Sequence, residues 1–371
     1  MLEALAADRA RLTELECQIS DLERSLAALK SDKSAVQKRL TSYTYPVLTL
    51  PNEIVSEIFV RFLPRLSGDS PPYSDCPPLV GRFSPIILTR ICRQWRETAL
   101  AIPELWRAVS LCAKDIPPSV TDIRKIWLRR AGVCPLHIQV DDFFVSSRAQ
   151  KVGFRGEELL AVILPYRERW EHIQLSLERC DPQAAVDGPM PLLRKLVLSV
   201  QDLSPRLDFS DAPLLRSVDL DKGAARNIKL SWDRLTSLRL INIWPHNCIP
   251  YLRMATNLVQ CELDMYALNR DTSFHTTPYH VTLPSLRSLT IKASRDITRI
   301  DVLGCFTLPA ISRLDICELL LQSDPIDSLK SFITRSGCEL HHVRITGRRI
   351  RASEYHDAFP SIQELVLSDR F

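Results

Sequence analysis

The chain has 371 residues, 45% of them apolar, with 48 basic against 44 acidic side chains and a formal charge of +4. That length suffices for two or three domains around a sizeable core, and so even a balance excludes a surface built for nucleic acid, since the densest basic group is only Arg348, Arg349 and Arg351. No apolar run approaches the roughly 18 residues that a membrane helix needs, and the amino-terminal segment is charged where a signal peptide would be apolar, so the expectation is a cytoplasmic and/or nuclear protein.

Residues 1–40 hold no proline and no glycine. Leu12, Leu15, Ile19, Leu22, Leu26, Leu29, Val36 and Leu40 recur at alternating steps of three and four, with Leu5 in register and Asp8 and Lys33 interrupting the seam. This heptad pattern predicts a coiled-coil helix over 1–42. Seven basic and seven acidic residues lie between residues 1 and 45, which leaves the remaining faces solvated. The seam calls either for self-association or for a partner helix; one amphipathic helix lying alone or on its own domain is the alternative.

Beyond Tyr43 and Pro46, Pro51 fits the first position of a second helix, where its missing N–H costs nothing, and Glu53 puts an acid against the helix dipole. Ile54, Val55, Ile58, Phe59, Phe62 and Leu63 then form one broad apolar stripe that Pro64 ends. The segment 64–85 carries six prolines and reads as a long loop. A further helix is expected from Ser84 or Pro85, with Ile87, Leu88, Ile91, Cys92, Trp95 and Ala99 on one side, stopped by Pro103.

The order Leu50-Pro51-x-Glu53-Ile54-x-x-x-Ile58-Phe59, then Ile91-Cys92-Arg93-x-Trp95-Arg96 and Pro103-x-Leu105-Trp106, resembles an F-box. The F-box is the small helical module that docks substrate receptors onto the Skp adaptor of cullin-based ubiquitin ligases. The match covers 46–106, with a loop insertion at 64–85, and is similar to the large F-box families of mushroom-forming fungi, which often carry a coiled coil just upstream. The resemblance implies adaptor contacts from Leu50, Pro51, Ile54, Ile58, Phe59, Ile91, Cys92 and Trp95, divided between the module's own core and the adaptor groove. Leu50, Pro51, Ile54, Ile58 and Trp95 are expected on the exposed side.

Over 107–371 a pattern apolar-x-x-apolar-x-apolar recurs, as in PLLRKLVL, PLLRSVDL, LPSLRSLTI and FPSIQELVL. Nine copies start at Trp170, Leu193, Leu215, Leu235, Leu258, Leu286, Ile311, Leu340 and Ile362, spaced 20 to 29 residues apart. That is the period of leucine-rich repeats. Each copy ends in the alternation of a strand with one buried face, and helical returns are expected at 123–130, 157–164 and 327–335, with Gly132 and Gly337 closing the first and last. The asparagine that usually follows a leucine-rich strand is absent, so the turns must be closed another way and the solenoid is expected to be irregular. The rival arrangement is an ordinary layered α/β domain.

Residues alternating with the buried leucines would form a ladder: Gln174, Val197, Asp219, Arg239, Glu262, Thr290, Asp315, Arg344 and Val366. Its mixed sign points to a protein surface as ligand, with Asp219, Arg239, Glu262, Thr290, Asp315 and Arg344 as candidate substrate contacts. The eleven cysteines, scattered and without a C-x-x-C, read as reduced thiols; Cys338 with His341 and His342 is discounted as a metal site because neighbours in a strand face opposite ways. The same argument disposes of Asp141 and Asp142 as a catalytic pair. No nucleophile, phosphate-loop or zinc pattern appears, so no catalytic residue, metal or cofactor is expected. The fold expectation is α/β: a coiled-coil helix, a small all-α F-box, then an irregular leucine-rich-repeat solenoid with helical or loop returns. The functional expectation is a substrate-recognition subunit of a Skp–cullin–F-box ligase, binding the adaptor, through it a cullin, and an unknown protein target. The alternative is a non-ligase interaction scaffold.

Overall fold

Without a helix breaker, the first forty-one described residues wind into a single helix, α1 (Leu2–Ser42), in the computed structural model. The structure describes residues 2–43, 46–63, 83–112, 121–141, 156–177, 185–200, 206–243, 245–265, 280–293 and 301–368. It divides into two compact units, 1–58 and 59–371. Among the described residues no helix is long and apolar enough to cross a membrane.

In the first unit the heptad seam of α1 is open to solvent along its length, with Ile19 55% and Leu22 70% exposed. Flanking charges pair locally, Arg11 with Glu14 and Arg24 with Asp21, each at 2.9 Å. Such exposed pairs add only about 0.3–0.5 kcal/mol apiece, so the apolar seam is the larger unmet term. A 3-10 turn at Pro46–Thr49 leads to α2 (Asn52–Phe62). The Ile54 and Val55 amides both donate to the Pro51 carbonyl at 3.1 Å, which places Pro51 at the edge of the helix and not at its first turn.

The expected single helix after Ser84 is instead two pieces. A 3-10 turn, Pro85–Arg90, is capped by Ser84 Oγ, which accepts from the Ile86 amide. Cys92 then takes an extended conformation and its Sγ accepts from the Trp95 amide, starting α3 (Arg93–Ala101) afresh. The apolar spacing of three and four survives the break, which is why sequence alone reads it as continuous. Most of the 64–85 loop lies outside the described residues. Pro103 does end α3, and the 3-10 turn Pro103–Trp106 buries Leu105 and Trp106. Trp106 donates its indole N–H to the Ala99 carbonyl, stacks edge-on with Trp127 at 4.9 Å and lies under the Arg130 guanidinium.

From here the described residues build one wholly parallel sheet of eleven strands, each paired with the next in chain order. The strands are β1 (Ala108–Cys112), β2 (Leu136–Asp141), β3 (Trp170–Leu177), β4 (Lys195–Val200), β5 (Ser217–Asp221) and β6 (Ser237–Ile243). They continue as β7 (Gln260–Met265), β8 (Ser288–Ala293), β9 (Arg313–Cys317), β10 (His342–Thr346) and β11 (Glu364–Ser368). All nine sequence-predicted copies supply a strand. Two more precede them: β1 follows Trp106, and in β2 Leu136 takes the place of Trp170 only two residues before Ile138, which hides the repeat. Parallel neighbours need a crossover. Here helices α4 (Thr121–Arg130), α5 (Gly156–Ile163), α6 (Lys222–Asn227), α7 (Pro245–Met254), α8 (Pro325–Ser336) and α9 (Ala352–Ala358) provide several of them. Short return strands pair in parallel as well, at 185–186, 206–208 and 228–229, and again at 281–282 with 306–307. The predicted helices at 123–130, 157–164 and 327–335 correspond to α4, α5 and α8. Gly337 ends α8 in the left-handed region at φ 61°, a conformation that only glycine adopts without cost.

Leucine, isoleucine and valine of one strand face stack row on row and are nearly inaccessible, among them Leu196, Val218, Leu238, Leu289 and Leu314. The turns after the strands are closed by carboxylates. Asp221, at the end of β5, accepts from the Val200 amide (2.9 Å) and Ser199 hydroxyl (2.6 Å) of the preceding strand while its other oxygen caps α6 through the Ala224 amide (2.8 Å). Gly223 lets that helix approach, because a side-chain carbon there would lie 2.0 Å from the Val200 carbonyl oxygen. Glu318, just after β9 and 5% exposed, accepts from the Arg349 amide at 3.0 Å and from the Tyr355 hydroxyl at 3.2 Å. An acid with a long reach thus does the stitching that an asparagine would otherwise do.

Candidate functional site

Parallel registration turns alternate residues into rows across the sheet. The predicted ladder is one such row: Gln174 is paired with Val197, Val197 with Asp219, Asp219 with Arg239, Arg239 with Glu262, Glu262 with Thr290, Thr290 with Asp315, Asp315 with Arg344, and Arg344 with Val366. Ser110 and Gln139 extend it onto the first two strands. All six candidate substrate contacts therefore stand side by side on the face opposite the leucine rows.

Their charges pair across neighbouring strands in two groups. Glu262 Oε1 lies 2.6 Å from Lys292 Nζ and 3.3 Å from Arg239 Nε, the latter close enough for attraction but not aligned as a hydrogen bond. Arg344 Nη1 lies 3.8 Å from Asp315 Oδ2. Burial pushes the carboxyls of Asp219, Asp264 and Asp315 above their ordinary range despite the cations beside them. Serines 217, 237 and 288 keep the adjoining row low, and with Lys195, Asp219 and Arg239 they line a depression of about 290 Å³. Polar side chains of both signs, held in a shallow concavity on a rigid sheet, suit a polar protein surface better than an apolar small molecule.

At the amino-terminal end of this face the rows carry different chemistry. His137 and His172 are register partners, and their rings lie 4.2 Å apart at 32°. A bulge between Leu136 and His137 makes Trp170 and His172 successive partners on β3 and leaves Glu171 as the extra residue. The burial pattern follows: Trp170 points inward, Glu171 and His172 both point outward, and Ile173 points inward again. His137 Nε2 and Glu171 Oε2 are 2.9 Å apart. Burial, with the His137 ring beside it, pushes the His172 imidazole down to about 4, and burial lowers His137 against the pull of Glu171. Burial works to raise Glu171, but its hydrogen bond with His137 carries it below the usual value. Sequence reasoning missed this group, since the contacts need cross-strand register. The available signal was the tripeptide His-Ile-Gln, present both at 137–139 and at 172–174.

The helical residues proposed for docking are distributed as follows. Pro51 is exposed, Leu50 half-buried, and Ile54 and Ile58 are 49% and 47% exposed. In the second unit Ile91 is 55% exposed, Cys92 and Trp95 are half-buried, and Phe59 is 1% exposed, its ring edge-on to Trp95 at 4.9 Å. Cys338 is buried, and His342 Nδ1 lies 2.7 Å from Glu364 Oε2. Asp141 is buried at the end of β2, and Asp142 lies outside the described residues. Compared with known proteins, the chain matches no family model and no curated protein sequence.

Proposed function

We propose that this chain is a substrate receptor of a Skp–cullin–F-box ubiquitin ligase: the helices of 46–106 dock on the Skp adaptor, and the sheet that follows selects a protein target. The observation that carries the reading is the open apolar surface within the motif that resembles an F-box. On α2, Ile54 and Ile58 each leave about half of their surface in water, as a docking helix requires. Phe59, Ala99, Leu105 and Trp106, all inaccessible, serve as the module's own support. The eleven parallel strands in chain order, at spacings of 20 to 29 residues over the predicted copies, favour an irregular leucine-rich solenoid over a layered domain. Its polar row is then the target surface. On this reading the chain performs no chemistry itself and acts by holding the target where ubiquitin can reach it.

The exposed seam of α1 favours a second reading, an interaction scaffold that needs no adaptor. Co-purification separates the two. The receptor reading predicts that the parent chain brings down the Skp adaptor and that the Leu50→Ala/Ile54→Ala double variant, still folded, brings down much less. A folded parent that recovers no adaptor leaves the scaffold.

A further inference from the structure

We infer that His137, Glu171 and His172 form a binding site for a single divalent transition-metal ion of the zinc type. The inference goes beyond the receptor reading and stands without it.

Three donor groups converge there, with ligand atoms all within 4.8 Å of one another. Two imidazole nitrogens and one carboxylate oxygen are a donor set suited to zinc and its neighbours. Two ligand atoms on a tetrahedral zinc, with bonds near 2.0–2.1 Å, stand about 3.3 Å apart. The His137–Glu171 contact of 2.9 Å needs to open by only a few tenths of an ångström to admit the ion.

The backbone supplies the independent argument. In a regular strand Glu171 and His172 would face opposite sides of the sheet. The bulge on β3 turns both to the side where His137 already stands. Bulges of this kind re-aim side chains and occur beside functional sites. His137 is 4% exposed and fixed, whereas Glu171 and His172 keep part of their surface in water. An ion held there is reachable from solvent and retains a coordination position for water or for a group on a bound protein.

The surroundings narrow the choice of ion. Arg194 Nε lies 3.7 Å from Glu171 Oε1, and Arg107 and Lys195 are close enough to act on the imidazoles. A hard cation such as Mg²⁺ or Ca²⁺, which depends on several oxygens and net negative charge, is disfavoured. A borderline metal that forms bonds to nitrogen is accepted.

The test uses the chelator-stripped full chain, titrated with Zn²⁺ and separately with Co²⁺, with Mg²⁺ as control. The expected result is saturable one-to-one binding of Zn²⁺, a Co²⁺ absorption spectrum of nitrogen and oxygen ligands without thiolate bands, and no Mg²⁺ binding. His172→Ala and Glu171→Gln should each weaken Zn²⁺ at least about tenfold, since outer-shell changes alone cost about 10–100-fold. Absence of saturable binding, affinity unchanged in both variants, or thiolate bands indicating the cysteines would each overturn the assignment. Should the variants fail to fold, reaction of His172 with diethyl pyrocarbonate in the parent decides it. Zn²⁺ protects His172 if the site is real, and lack of protection refutes it.

Discussion

Glu318 offers the sharpest test of how the turns are held. Its carboxylate is buried beneath the end of β9 and is the acceptor both for the Arg349 amide, which follows β10, and for the Tyr355 hydroxyl of α9. One side chain thus joins two successive returns. Glu318→Ala removes the acceptor from two donors, and each buried donor left unmet costs about 1–3 kcal/mol. The expected loss is about 2–6 kcal/mol, reduced by the relief of no longer burying a carboxylate. Tyr355→Phe removes one donor and leaves the Arg349 bond intact, so it should cost only about 0.5–1.5 kcal/mol. A chain of this size need not unfold in one step, so the local readout is amide hydrogen exchange over residues 342–359. A loss of 2 kcal/mol or more corresponds to at least about thirtyfold faster exchange where local opening dominates. Equal exchange in Glu318→Ala and the parent, or equal effects of the two variants, would refute the stitching role.

Burial holds the Asp219 carboxyl above its ordinary range. A carboxyl raised on folding binds its proton better in the folded chain, so its contribution to stability grows as pH falls through the folded pKa and is lost above it. At pH 7 the ionised group opposes folding. Asp219→Asn should therefore leave the urea midpoint unchanged or raise it, while weakening target binding; a clear drop in midpoint at pH 7 would contradict this. Burial pushes the Cys248 thiol up to about 12 and Cys261 further, whereas Cys17 is exposed. N-ethylmaleimide at pH 7.5 should label Cys17 within minutes and spare Cys248 and Cys261 until denaturant is added, as read by peptide mass spectrometry. The seam of α1 should raise the sedimentation mass of the full chain above the 42.3 kDa monomer, and paired Ile19→Lys and Leu22→Lys changes should restore the monomer. A monomeric parent would refute self-association through the seam.

Much of the second unit was legible because its signals are local. The apolar-x-x-apolar-x-apolar pattern needs no tertiary knowledge, and nine strands came from it, while three return helices came from the helical spacing between its copies. Two strands escaped because Leu136 and Ile138 of β2 stand only two residues apart and β1 begins immediately after the helical segment at Trp106. Cys92 was read as a helix residue for its spacing, although its thiol caps a new helix, a role that periodicity cannot reveal. Asp221 and Glu318 look like ordinary surface acids in the sequence; only the fold shows their oxygens turned onto backbone amides. The His137–Glu171–His172 group depends on a bulge, which shifts the side-chain alternation by one residue and defeats any fixed period.

The most direct test of the receptor reading is a calorimetric titration of the full chain with purified Skp adaptor. Ile54 and Ile58 each expose about half their surface, and a fully buried isoleucine is worth about 1.5–3 kcal/mol. Covering both exposed halves should contribute about 1.5–3 kcal/mol. The account predicts a one-to-one complex that Ile54→Ala/Ile58→Ala weakens by about ten- to hundredfold without unfolding the chain. A folded parent that shows no binding at about 100 μM adaptor, a level that would detect even a contact of some 5 kcal/mol, or a double variant that binds as well as the parent, would contradict it.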